Sequence, residues 1–139
     1  MEEQELQLNL EEFKLLKDIP DQKMKILFEL YIKYVKVISL VRFAAIGVPA
    51  TIMISKLLFG GKSYTHSEYN NIMTVTIVIA CIFCLTSIIL GISSVKHKNI
   101  LKKELREIVN KNKLPKAEFL LEFNPLIKHL FGGPGIKKI

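Results

Sequence analysis

A chain of 139 residues supports one domain. Half of its residues are hydrophobic and its mean hydropathy is +0.29, but the apolar residues gather in two blocks, which excludes an ordinary soluble core and points to membrane spans. The formal net charge of +7 is informative through its position, since orientation in a membrane follows basic residues close to the spans.

The N-terminal Met-Glu-Glu-Gln-Glu is acidic with no apolar run behind it. Neither a secretory signal nor an Arg-rich transit peptide is expected, and the first span serves as its own signal. Asn9 with Glu12 three positions on offers an N-cap for a short helix to about Ile19, ended by Pro20. A second helix starts near Asp21. Met24, Leu27, Phe28, Tyr31, Tyr34, Val35 and Ile38 share one face, while Lys25, Glu29 and Lys33 form a solvated i to i+4 ladder. No Gly or Pro interrupts this helix before Gly47, so it is expected to run into the membrane, with Tyr31 and Tyr34 at the level of an aromatic belt. Residues 1–36 are thus an amphipathic helical arm.

The first span covers about 37–59. Arg42 and Lys56 lie near its ends, each about 10 Å from a centre at Pro49, where snorkelling to the headgroups accounts for them; an inter-subunit contact or a pore mouth is the sharper reading. Gly47 and Pro49 predict a kink or a close approach, and Ala44, Gly47 and Thr51 form a small-residue face. Gly60-Gly61 stops the helix, and residues 60–71 read as a short outer loop.

The second span, 72–95, carries no charged residue and is long enough for a hydrocarbon core of roughly 30 Å. Ala80, Cys84, Ser87, Gly91 and Ser94 fall alternately four and three residues apart. That stripe is a packing seam, the means by which helices associate where lipid removes the hydrophobic drive. Thr74, Thr76, Ser87 and Ser94 are candidates to line a wet path, although such hydroxyls also bond their own backbone.

After Val95 the chain turns basic. Lys96, Lys98, Lys102, Lys103 and Arg106, around the apolar line Leu101, Leu105 and Ile108, predict a cytoplasmic helix whose charges contact lipid headgroups, each contributing on the order of 1 kcal/mol. Pro115 resets the chain, Lys116 to Phe123 makes an amphipathic turn or two, and Asn124-Pro125 caps a last short helix ending at Gly132-Gly133, before a tail. Residues 96–139 form this basic arm. The fold expected is an all-α membrane protein, a two-span antiparallel transmembrane hairpin (37–95) with amphipathic helical arms at both termini. Basic residues beside the outer ends of both spans put the two termini in the cytoplasm of a bacterial cell, or in the matrix if the membrane is the mitochondrial inner one.

Chemical motifs are sparse. Cys81 and Cys84 form Cys-x-x-Cys at helical spacing, but with no His, Asp or Glu in the span the ordinary reading is packing. His66 and Glu68 would suit a metal or a pH sensor; His97 and His129 read as interfacial polar residues. There is no Gly-rich phosphate loop, no His-Glu-x-x-His and no convergent acid pair, so binding rather than catalysis is expected, with no cofactor or metal. The basic arm lacks an aromatic-rich sheet motif or a recognition helix, which argues against nucleic acid.

The layout of helix, two-span hairpin and helix is similar to the small two-span effector domains of bacterial conflict systems, and equally to accessory subunits of respiratory and translocation complexes. The first likeness implies copies that self-associate through the seam into a membrane-perturbing or pore-forming oligomer. The second implies a seam and arms docked on larger membrane subunits.

Overall fold

The computed structural model describes residues 14–17 and 19–139. Among them the chain is all-helical, with no strand: α1 is Asp21–Phe59, α2 is His66–Lys111 and α3 is Lys116–Phe131. Two of these, α1 and α2, are long and apolar enough to cross a membrane, with mean hydropathy 2.0 and 2.8 over their most apolar windows. The expected helix from Asn9 lies largely outside the described residues; its described end, Lys14–Lys17, is a turn closed by the Ile19 amide on the Leu16 carbonyl at 3.2 Å.

The described chain divides into two compact units. One holds the chain up to Val35 together with Lys96–Ile139; the other is Lys36–Val95.

The first unit has a conventional core. α1 starts where the Pro20 carbonyl takes the amides of Lys23 (2.8 Å) and Met24 (3.1 Å), and it turns Met24, Leu27, Phe28, Tyr31 and Tyr34 inward. α2 contributes Leu101, Leu105, Ile108 and Val109, and α3 adds Phe119, Phe123, Leu126 and Ile127. These are the i, i+3, i+4 stripes of helices packing on one another. The helix-to-helix link from α2 to α3 is a Schellman turn with Lys113 at φ 53°, closed by the Leu114 amide on the Val109 carbonyl (2.9 Å), and Pro115 then opens α3.

Three sequence expectations change here. Tyr31 and Tyr34 do not form an aromatic belt: both are buried in protein, at 0% and 4% exposure, because they continue the apolar stripe of α1 rather than face outward. Asn124-Pro125 does not start a new helix, since α3 runs through it. Proline removes the bond to the carbonyl of Leu121, which sits on the exposed side of α3 where water can serve it, and the Asn124 side chain is engaged elsewhere.

Finally, the C-terminal segment is docked rather than loose. Asn124 donates from Nδ2 to the Ile136 carbonyl (2.9 Å) and accepts the Ile136 amide at Oδ1 (2.7 Å), imitating one rung of a strand pair. The Tyr31 hydroxyl shares its single proton between the carbonyls of Gly132 (2.7 Å) and Pro134 (3.1 Å), and Ile136 and Ile139 are buried. Gly133, at φ +81°, passes so close to α1 that a Cβ would lie 2.7 Å from Val35 Cγ2, which only glycine permits. Phe131 packs edge-on to Phe28 (5.3 Å between centroids), and the Leu15 amide donates to Glu122 at 2.9 Å.

Candidate functional site

The second unit, Lys36–Val95, is built unlike the first. Its only buried hydrophobic residue is Ala44, while Phe43, Leu57, Ile89 and Ile92 and most of their large apolar neighbours face outward. Two close approaches between α1 and α2 mark their register in this unit. At Gly47 a Cβ would stand 2.4 Å from Phe83 Cδ1, so the missing side chain is what admits the ring. Eight residues along α1, the Ser55 hydroxyl lies 2.9 Å from that of Thr76. Thr76 donates its own proton to the Ile72 carbonyl (2.8 Å), so Ser55 is the donor between the two side chains.

The threonine hydroxyls on these segments are satisfied locally, Thr76 as just described. Thr51 donates to the Gly47 carbonyl (2.7 Å), Thr74 to Asn70 (2.8 Å) and Thr86 to Ile82 (2.8 Å), the back-bonding that makes Ser and Thr tolerable in apolar surroundings. The Ser87 oxygen is shielded from solvent and without a partner.

Gly47 receives Phe83, a bulky residue outside the seam, and Gly91 has open space where a Cβ would stand. Ala80, Ser87, Gly91 and Ser94 are half-buried and Cys84 is exposed. On α1, Thr51 is half-buried beside buried Ala44. Arg42 and Lys56 are exposed, and Thr76, as described, uses its hydroxyl within the chain.

Toward the α1–α2 connection the helices leave grooves on either side of the Ser55–Thr76 contact. One, of about 670 Å³, is lined by residues that include Ile52, Lys56, Lys62, Tyr64, Tyr69, Cys81 and Cys84; the other, of about 490 Å³, lies against Ile54, Leu58, Val75 and Ile79. Cys81 and Cys84 are both free thiols, exposed on the first groove.

The connection is shorter than 60–71. α2 begins at His66 because Thr65 and Glu68 close a capping box: Glu68 accepts the Thr65 amide (2.9 Å) and hydroxyl (2.8 Å), and its own amide approaches Thr65 Oγ1 at 3.4 Å. Those two bonds, backbone first, hold the Glu68 carboxyl below its ordinary pKa. The carboxylate expected as a ligand is therefore engaged as a cap, while His66 Nε2 lies 3.3 Å from Asn70 Nδ2. Thr-x-x-Glu before an apolar run was a legible sign of this start.

Among the basic residues, Lys96, Lys103 and Arg106 are exposed and Lys98 and Lys102 half-buried; Lys103 makes an exposed i to i+4 pair with Glu107 at 3.9 Å, which contributes little. His97 is half-buried and His129 exposed. Among the described residues no group of three or more His, Cys, Asp or Glu comes together. Comparison with known protein families, with curated proteins and with solved structures finds no match to this chain.

Proposed function

We propose that this chain is a non-enzymatic integral membrane protein whose segments 37–59 and 72–95 cross the bilayer as an antiparallel hairpin, with both termini cytoplasmic, and that it self-associates through its transmembrane helices. The observation that carries the reading is the exposure of the apolar segments. Only 6% and 0% of their most hydrophobic windows is buried, and such a surface is far beyond what a soluble monomer leaves in water. The contacts of Gly47 with Phe83 and of Ser55 with Thr76 pair rising positions of α1 with falling positions of α2, as antiparallel spans require. Lys96 to Arg106, following the second span, supply the basic excess expected on the cytoplasmic side.

Self-association is supported by what the chain leaves unfilled. Gly91 faces open space, so a neighbouring helix can approach the seam there. Such an oligomer acts as a membrane-perturbing or pore-forming effector, with Ser87 and Ser94 near any wet path; docking on larger membrane subunits is the alternative. In liposomes, donor and acceptor labels on separate copies should transfer energy, Gly91→Leu should abolish the transfer by forcing the backbones apart, and Leu90→Val should leave it intact. Unchanged transfer in Gly91→Leu removes the seam as the interface. Ion flux through the same liposomes, reduced by Ser87→Leu, separates a pore from a scaffold.

A further inference from the structure

We propose that the larger groove of the second unit seats one acyl chain of an anionic phospholipid, its phosphate held by Lys56 and Lys62. This rests on the membrane reading above and adds to it the lipid that occupies the groove.

The groove has two unlike ends. Near the connection it is lined by Lys56, Lys62, Tyr64 and Tyr69; away from it the lining is Val48, Ala80 and Cys84, with no charge. The lining holds two lysines and no acid, and the nearby Glu68 carboxylate is turned to Thr65. Such a site suits a ligand with a negative head and an apolar tail, since a free anion would leave the apolar wall uncovered and a neutral hydrocarbon would leave the lysines unpaired. Two ammonium groups and two phenolic hydroxyls at one end can together bind a phosphate diester.

The dimensions agree. From Tyr69 to Cys84 the groove follows α2 for about 22 Å at 1.5 Å per residue, enough to take a chain from the headgroup level through one leaflet of a hydrocarbon core roughly 30 Å thick. Its volume of about 670 Å³ falls within the range of small-molecule sites, about 300–1,000 Å³. The polar atoms in its wall make no demand on a tail, because Ser55 donates to Thr76 and Thr76 to the Ile72 carbonyl.

The test uses the full chain in liposomes of zwitterionic phosphatidylcholine doped with phosphatidylglycerol carrying a photoreactive group in its acyl tail, with adducts located by peptide mass spectrometry. Adducts are expected on α2 between Met73 and Cys84. The double substitution Lys56→Gln/Lys62→Gln should lower their yield about thirtyfold, about fivefold for each lysine. Lys137→Gln/Lys138→Gln, the same loss of charge in the C-terminal segment, should leave it unchanged, and a photoreactive phosphatidylcholine should label only at the level of the Lys56/Lys62 variant. Equal labelling by the two lipids, or a yield indifferent to Lys56 and Lys62, overturns the proposal while leaving the membrane reading in place. A chain that does not float with the liposomes overturns both.

Discussion

Tyr31→Phe removes one oxygen atom and tests how the C-terminal segment is held. The side chain is fully buried, and its ring neighbours Phe131 and Tyr34 keep their contacts when the hydroxyl goes. What disappears is a donor placed 2.7 Å from the Gly132 carbonyl and 3.1 Å from that of Pro134. A lost bond costs about 1 kcal/mol net, and a carbonyl left without a partner costs about 1–3 kcal/mol when water cannot reach it. Gly132 is itself exposed, which admits water and sets the expected loss at about 1–2 kcal/mol. Hydrogen exchange reads this locally. The Ile136 amide, bonded to Asn124 Oδ1, should exchange roughly five to thirty times faster as the segment opens more often. Asn124→Ala should accelerate the same amide, and the two substitutions together should be less than additive if one docked segment is being released. Unchanged exchange over residues 132–139 in Tyr31→Phe would refute the account of the docking, whatever happened to the melting temperature.

Burial, with a smaller contribution from Tyr34, pushes the Tyr31 hydroxyl above its ordinary pKa of 10.0. The unfolded chain therefore ionises first, so stability should be full below about pH 10 and fall as the pH climbs through the higher folded value, a decline that Tyr31→Phe should flatten in alkaline unfolding curves. Glu68 behaves oppositely: its lowered carboxyl stabilises the start of α2 above the ordinary carboxylate range and loses that effect as the pH falls through the lower folded value, seen as acid fraying of residues 66–69 by NMR and much reduced in Glu68→Gln. Gly47→Ala drives a Cβ into the Phe83 ring and should destabilise by about 1–3 kcal/mol in denaturant titrations, while Phe83→Ala in the same chain should recover most of that; no recovery means that the two residues do not touch. With Cys81 and Cys84 replaced, a membrane-impermeant thiol reagent should reach Ser63→Cys from outside and Lys137→Cys only after the cytoplasmic side is opened, and the reverse pattern would invert the topology.

The helices were legible where one signal dominates. Apolar and amphipathic patterning made most of the extent of α1 and α2 readable, because a stripe such as Met24, Leu27, Phe28 and Tyr31 has a helical period whatever it packs on. What that stripe packs on is a tertiary fact. Tyr31 and Tyr34 suited a lipid interface by residue type, and only tertiary packing, with Phe131 of α3 against Tyr31, places them in a protein core. Asn124-Pro125 has the local chemistry of a cap, yet the asparagine bonds Ile136, twelve residues away, a pairing no local pattern carries. The seam on α2 was visible as spacing, whereas the ring of Phe83 filling Gly47 depends on the register of two helices. The groove was invisible for the same reason: Lys56, Lys62, Tyr69 and Cys84 lie up to 28 positions apart and become neighbours only through that register.

The central claim, a membrane-inserted chain that assembles with copies of itself, is tested most directly by native mass spectrometry of the particle released from membranes in mild detergent, with every polypeptide in it identified. The expected result is a whole-number multiple of the 15.9 kDa chain, greater than one, with no other protein present. A monomer, or a fixed stoichiometry with larger unrelated subunits, would contradict it.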